Sequence, residues 1–200
     1  MSDNLKKLTW ENHKKAERAA FMQRLIKKNI TPPQYYKYLK NQAIAYIALE
    51  HYATLAGWFD FDNEDLYLLK RGAAMLDDID EMEKTHGFTD APILSTTTAY
   101  VDYIQQIRKD REKLFAHVYV RHMGDLSGGQ IIKRLIPGPT RVYEFDTDVD
   151  QLKQTVRKRL HDGLVDEANQ CFIMVQNFLQ ELEDSFVGDM GEGSSSIRKD

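Results

Sequence analysis

The sequence predicts an all-α fold in a single domain, and three observations carry that expectation. Glycine and proline are scarce, 11 and 5 of 200 residues, about half of average usage, so few turns interrupt the chain. Apolar residues recur at helical spacing rather than alternating. A length of 200 residues, 42% of them apolar, suits one core of ordinary size and disfavours disorder over most of the chain.

A first helix is expected over Asn4 to Ala20. A second follows Thr31, with Pro32 and Pro33 in the first turn, where a missing amide hydrogen costs least, and runs to about Leu55. Helical spacing continues over Asn63 to His86, Thr96 to Gln106 and Lys109 to Leu135. The segment PGPTRVYEFD from Pro137 breaks the period with two prolines and reads as a connection containing a short extended piece. Helices over Val149 to Gly163 and Leu164 to Phe186 complete a domain of residues 1–186; the small, polar tail 187–200 is expected to be disordered.

With 27 basic against 31 acidic residues and a net charge of -4, a polycation that coats nucleic acid is disfavoured. Cys171 is the single cysteine, which points to a reducing compartment and to metal chemistry through other ligands. No apolar run approaches the roughly 18 residues of a membrane span, and the start MSDNLKK lacks a secretory core. A cytoplasmic protein without membrane partners is expected. Charge is nonetheless uneven: residues 1–40 carry ten Lys or Arg against three Asp or Glu, whereas residues 58–90 carry ten acidic against three basic. Solvated helix faces explain this, or a basic end that receives anionic groups or an acidic partner.

The oddest stretch is YVRHMGDLSGGQIIKRL, where Gly124, Gly128 and Gly129 interrupt a good helix at about 1 kcal/mol each relative to Ala. Gly124 and Gly128 share a face, so a flat ligand or another backbone could lie against it, and Gly128-Gly129 could bend the helix. Asp125 sits beside this strip, with Arg121 one turn earlier as a partner or as a second holder of an ordered water. Close helix packing beside a surface ion pair is the plainer alternative.

A second constellation lies on the first helix, where Lys6, Thr9, His13, Ala16 and Glu17 fall within one arc. An imidazole flanked by small residues can coordinate iron through one nitrogen while Glu17 or a water holds the other. Lys6 is two turns away, about 10 Å along the axis, and could meet a ligand's acidic edge. An ordinary i,i+4 surface pair is the bland reading of His13 with Glu17. His51, His86, His117, His122 and His161 have no partner at metal-binding spacing and read as solvated or core residues. Lys153 and Arg157 form a basic i,i+4 pair that is either solvated or closes over an anionic ligand.

ENHKKAE around His13, AYIALE from Ala45, AHVYVRHMGDLSGGQIIKRL from Ala116, RVYEF from Arg141 and VDEANQCF from Val165 together resemble the heme oxygenase family over most of the first 186 residues. GDLSGGQ inside a helix is the most specific of these signals. The resemblance implies heme b, at once substrate and cofactor, sandwiched between a proximal helix bearing His13 as axial iron ligand, supported by Glu17, and a kinked distal helix bearing Gly124, Asp125, Gly128 and Gly129. Lys6, Tyr119, Lys153 and Arg157 match positions that anchor the propionates, and Phe172 lines the pocket. Arg157 in turn implies cleavage at the α bridge.

The implied reaction consumes O2 and yields biliverdin IXα, carbon monoxide and ferrous iron. Asp125, with Gly124 beside it and Arg121 and Tyr46 as outer members, orders the distal waters that deliver protons. No flavin or nicotinamide fingerprint is visible, so electrons come from an external donor, ferredoxin in the soluble branch that a chain without a hydrophobic C-terminal anchor resembles. A bilin reductase is a candidate consumer of the product. Two positions depart from the family pattern: Trp10 stands where a basic propionate contact is common, and Val175 where the last helix often carries an Asn. A heme carrier without turnover and a helical interaction module are the competing classes; titration with heme, then addition of a reductant in air, separates the three.

Overall fold

The computed structural model describes residues 2–59 and 64–189. Eleven α-helices and two 3-10 turns, with no strand, form these described residues. The chain opens with α1 (Ser2–Leu8), α2 (Trp10–Glu17) and α3 (Ala20–Ile26). The single helix expected over Asn4 to Ala20 is thus a bent pair, and α3 was not foreseen. The bend falls at Thr9, whose hydroxyl donates to the Leu5 carbonyl at 2.9 Å; such back-bonding competes with the helical ladder and bends it.

Helix α4 (Pro32–Leu55) begins and ends where its prolines and apolar period put it, and Gln34 Oε1 accepts the Thr31 N–H at 3.0 Å. The helix expected over Asn63 to His86 is divided into α5 (Glu64–Tyr67) and α6 (Gly72–His86). The division is imposed by tertiary partners. Glu50 of α4 accepts the N–H groups of Arg71 at 2.6 Å and Gly72 at 3.1 Å, capping α6 with a carboxylate. The Arg71 guanidinium meanwhile donates to the carbonyls of Leu68 and Leu69, each at 3.1 Å. A side chain at position 72 would crowd the Glu50 carboxylate, its Cβ falling 3.0 Å from Oε2.

Next come α7 (Ser95–Gln106), α8 (Arg111–Ser127) and α9 (Gly129–Ile132). Asp110 caps α8 by accepting the Lys113 N–H at 3.1 Å. The run expected from Lys109 to Leu135 therefore breaks at Gly128-Gly129, where a bend was foreseen. The extended piece expected after Pro137 is instead a 3-10 turn, Arg141–Tyr143. It is drawn to α6 by the buried Asp78 carboxylate, which accepts from the N–H groups of Arg141 at 3.2 Å and Val142 at 3.0 Å. Helix α10 (Val149–Arg157) stops before the expected Gly163, and a second 3-10 turn, Asp162–Leu164, leads into α11 (Val165–Asp189). Thus α11 passes Phe186, and residues 190–200 of the expected tail lie outside the described residues.

Two long helices organise the rest. Helix α4 packs on α6, α7 and α8, while α11 packs on α2, α3, α7 and α8. One core cluster gathers α8, α10 and the first half of α11 around Phe115, Leu126, Val156 and Phe172; a second gathers α3, α6 and the far half of α11 around Phe21, Tyr35, Met82 and Leu182. Both long helices therefore sit under α8. Among the described residues no helix is long and apolar enough to cross a membrane.

The α7–α11 junction gives a stability test. Glu181 accepts from the Ser95 N–H (3.0 Å) and hydroxyl (2.8 Å) and from the Thr96 N–H (2.8 Å) and hydroxyl. Burial opposes the charge, but these donors prevail and hold its pKa at about 2. Because the folded value lies below the ordinary one, this stabilisation is present above pH ~4.5 and lost as pH falls towards 2. Glu181→Gln is expected to cost about 1–3 kcal/mol at neutral pH, with the gap to wild type closing in acid. Thermal unfolding from pH 7 down to pH 2 measures it, and an undiminished gap in acid would contradict the assignment.

Candidate functional site

Helix α2 buries none of its residues. It is fastened to α11 by polar contacts: Asn12 Nδ2 donates to Asn169 Oδ1 at 2.8 Å, and Gln176 Nε2 donates to the Asn12 carbonyl at 3.1 Å. Between those two on the same face of α11 stands Phe172, whose ring meets the His13 imidazole edge-on, centroids 5.6 Å apart. The imidazole is thereby fixed. Its Nε2 lies 3.7 Å from Glu17 Oε1, and its Nδ1 is buried without a hydrogen-bond partner. On the other side the exposed Trp10 ring stacks on His13 at 5.2 Å, nearly parallel. Lys6 and Lys14 hold their ammonium groups 5.8 and 5.9 Å from the Trp10 ring. The aromatic departure at position 10 therefore gathers cations about itself.

Helix α8 shares α11 as its support. The bend between α1 and α2 meets α8 at Tyr119, whose hydroxyl neighbours Thr9: burial pushes its pKa up, against the pull of that Thr9 contact and of the Arg157 charge. Farther along α8, a Cβ on Gly124 would have nothing within 4 Å, and one on Gly128 would meet only the Gly124 carbonyl, at 3.5 Å. These two glycines form a bare, exposed strip. Gly129 differs from the expectation that all three glycines face the ligand: it is buried, and a Cβ there would fall 2.6 Å from the Tyr143 ring. It serves the bend between α8 and α9.

That contrast is testable. Gly129→Ala is expected to cost about 1–3 kcal/mol through overpacking against Tyr143. Gly124→Ala should raise the melting temperature, since Ala gains about 1 kcal/mol in a helix interior, yet weaken binding of a flat ligand. Paired melts and ligand titrations separate the two; equal destabilisation by both would remove the distinction.

Beside the strip, Asp125 Oδ2 accepts a 2.7 Å hydrogen bond from the Tyr46 hydroxyl. Burial pushes the Asp125 pKa up to about 6, against the His122 charge, the Tyr46 hydrogen bond and the charges of Arg71 and Arg121. Arg121 does not close onto Asp125 as an ion-pair partner. Its Nη1 donates to Gln42 Oε1 at 2.9 Å, its guanidinium lies 4.0 Å over the Tyr100 ring, and its Nε is buried without a partner. A cavity of about 10 Å³ borders Arg121, Gln42, Thr97 and Tyr100, enough for a single water. Val175 packs between the two core clusters and adds no polar atom.

Of the remaining expected residues, Lys6 and Arg157 are exposed and Lys153 pairs with Asp150 at 3.1 Å. Arg157 acts on Tyr119, so a cation of α10 lies beside the place where the bend between α1 and α2 meets α8. Sequence reasoning passed over Asn12, Asn169 and Gln176, which orient the His13 helix. It read His117 and His122 of α8 as solvated or core residues; both are buried, each with a remote carboxylate partner that it did not foresee. His117 bridges Tyr100 (3.1 Å) and Glu167 (2.9 Å), and His122 bridges the Val118 carbonyl (3.1 Å) and Glu50 (3.2 Å). A carboxylate far away in the chain leaves no local spacing signal, although Glu50 and Glu167 stood inside the quoted motifs.

An imidazole with one nitrogen free of protein partners and a carboxylate near the other is what an axial ligand needs. A helix surface stripped of side chains admits a flat macrocycle, and cations at the rim suit its acid groups. The residues present thus fit heme. The family model described as Heme oxygenase matches residues 1–186. Heme oxygenase 1 of Synechocystis is 29% identical, covering 96% of this chain and 88% of its own, and the heme oxygenase of Guillardia theta is 30% identical, covering 94% and 90%. The crystal structure of Synechocystis heme oxygenase-1 in complex with heme superposes with a TM-score of 0.80 at 28% identity, covering 95% of each chain. Fold and sequence agree, and this chain belongs to the heme oxygenase family.

Proposed function

We propose that this chain opens heme b at the α-meso carbon, giving biliverdin IXα, carbon monoxide and ferrous iron from O2 and electrons of a ferredoxin-type donor. The single observation that carries the reading is His13, held by Phe172 and the Asn12 tether with one ring nitrogen buried and unpartnered. Bound heme supplies the iron that activates oxygen and the carbon that is oxidised. His13 holds the iron from one side, and Glu17 steadies the imidazole. Gly124 and Gly128 let the α8 backbone lie against the macrocycle. Lys6, Tyr119, Lys153 and Arg157 take the propionates, which fixes rotation in the plane and so selects the bridge that meets oxygen.

Asp125 holds and passes protons through distal water, with Tyr46 donating to its carboxylate and Arg121 ordering a water behind it. A carboxyl near pH 6 is well placed for this, because both protonation states are populated close to neutrality. Residues 1–186 act as one domain in a cytoplasmic setting. The basic first forty residues offer an acidic donor a docking face, and a bilin reductase would consume the product.

The purified chain with hemin, reduced ferredoxin and air is expected to lose its Soret band and form biliverdin, with the α isomer alone on chromatography. A stable heme complex under reduction would make the chain a carrier. A mixture of isomers would remove the role given to Arg157, and indifference to ferredoxin would remove the donor.

A further inference from the structure

Arg121 of α8 is buried and permanently charged, yet the carboxylate four residues on, at Asp125, does not hold it. A cation and an anion at this spacing on one helix ordinarily close into a pair, the more so where burial leaves the cation little water. Here the two groups are served separately. Asp125 Oδ2 accepts from the Tyr46 hydroxyl at 2.7 Å, while Arg121 Nη1 donates to Gln42 Oε1 at 2.9 Å.

Gln42 stands one turn before Tyr46 on α4, and its amide is the acceptor that the surroundings leave over. Asn41 beside it is already spent: its Oδ1 accepts the Leu94 N–H and the Thr97 hydroxyl, and its Nδ2 donates to the Lys37 and Pro92 carbonyls. From α11 the cavity beside Arg121 receives Met174 and Phe178, whose side chains offer no oxygen. The guanidinium is clamped as well as held, 4.0 Å over the Tyr100 ring and 5.4 Å from the Tyr46 ring. The Gln42 side chain also neighbours the Tyr38 hydroxyl, so its amide is fixed by more than Arg121.

We propose that Gln42 is a positioning residue: by holding the Arg121 guanidinium against Tyr100, it keeps Arg121 and Asp125 from closing into an ion pair and leaves the Asp125 carboxyl free to take up and release a proton. This rests on the distal role given to Asp125 above for its meaning in turnover, but its test needs no heme, so the two fail separately. A carboxylate closed onto an arginine stays charged well below neutrality. Burial instead pushes the Asp125 pKa up to about 6, and the Arg121 charge opposes this less than the Tyr46 hydrogen bond does. The other groups facing Asp125 are Tyr35, Tyr38 and Tyr46 of α4, Arg71 before α6, His122 of α8 and Tyr143 of the 3-10 turn. Substitutions at position 42 leave all of these in place.

Carbon-13 NMR of the full chain without heme follows the Asp125 carboxyl, assigned by its loss in Asp125→Asn. In Gln42→Met, which keeps the bulk and removes the acceptor, the midpoint is expected to fall by about one pH unit or more as Arg121 closes onto Asp125. Gln42→Glu keeps an acceptor for Arg121, and there the midpoint should not fall. Loosened packing would lower the midpoint without any help from Arg121, so the decisive comparison is made on Arg121→Met. Adding Gln42→Met to that chain should leave the midpoint where Arg121→Met alone puts it. A fall of equal size with and without Arg121 overturns the proposal, as does a Gln42→Met midpoint unmoved from wild type or a fall in Gln42→Glu. Should Gln42→Met not fold, Gln42→Asn, whose amide stops one carbon short of the guanidinium, takes its place with the same expected outcomes.

Discussion

Replacing His13 by alanine is expected to abolish turnover and leave the fold almost untouched. The side chain is 37% exposed and touches protein through the Trp10 stack and the Phe172 edge. The docking of α2 rests on Asn12 rather than on position 13. Truncation should therefore cost no more than about 1 kcal/mol of stability. What disappears is the proposed axial ligand. Loss of an orienting partner to a metal-bound histidine typically costs 10–100-fold; loss of the ligand itself should exceed that, so biliverdin formation is expected to fall by more than about 100-fold. Heme would still associate through the rim cations, with an altered ferric spectrum. Added imidazole should restore part of the wild-type spectrum and some turnover. Glu17→Ala should fall between the two proteins. A His13→Ala chain that turns over at the wild-type rate would refute the assignment of the proximal face.

Most of the architecture was legible because helix-forming periodicity is a local property. Pro32 and Pro33 marked the start of α4, and Gly128-Gly129 marked the bend after α8. The errors have a common origin in partners distant along the chain. Nothing between residues 63 and 86 announces that Glu50 will cap a new helix at Gly72, or that Arg71 will occupy the carbonyls at the end of α5. The same is true of Arg141–Tyr143, whose alternating apolar residues suggest extension until Asp78 collects their N–H groups into a turn. Thr9 bends the first helix by a side-chain hydrogen bond that many threonines in helices do not make.

The candidate site divides in the same way. His13 and the glycines were visible because each is costly or unusual where it stands, and a residue that offends a local rule asks for a compensating role. Gly129 offended the same rule for a different reason, the Tyr143 ring, which no spacing reveals. The orienting residues Asn12, Asn169 and Gln176 offend nothing: amides on helix surfaces are ordinary, and their value lies only in meeting one another across 157 to 164 residues of chain. His122 was read only as a solvated or core residue because a histidine paired with a remote carboxylate looks, in sequence, like any other.

Asp125→Asn is expected to make the protein more stable and far less active, and the pH dependence of each effect identifies its cause. In the folded chain the carboxyl is drawn from its usual 3.8 up to about 6, chiefly by burial. The folded state therefore binds the proton more tightly than the unfolded state. Stability is greatest below pH ~4, declines as pH rises to 6, and stays at the lower level above it. A displacement of this size corresponds to at most about 3 kcal/mol, and to less here because Asp125 keeps some contact with water. Asparagine cannot ionise, yet its carbonyl still accepts the Tyr46 hydroxyl that Asp125 accepts at 2.7 Å. The variant should thus melt a few degrees above wild type at pH 8 and match it at pH 4. Turnover should drop by about 100-fold or more, the usual contribution of a placed proton donor and acceptor, while heme binding through His13 persists. Melting curves at the two pH values, set beside biliverdin yields, decide the matter. A stability difference that ignores pH would mean that Asp125 is not held against its ionisation, and full activity in the variant would mean that protons reach the distal face by another route.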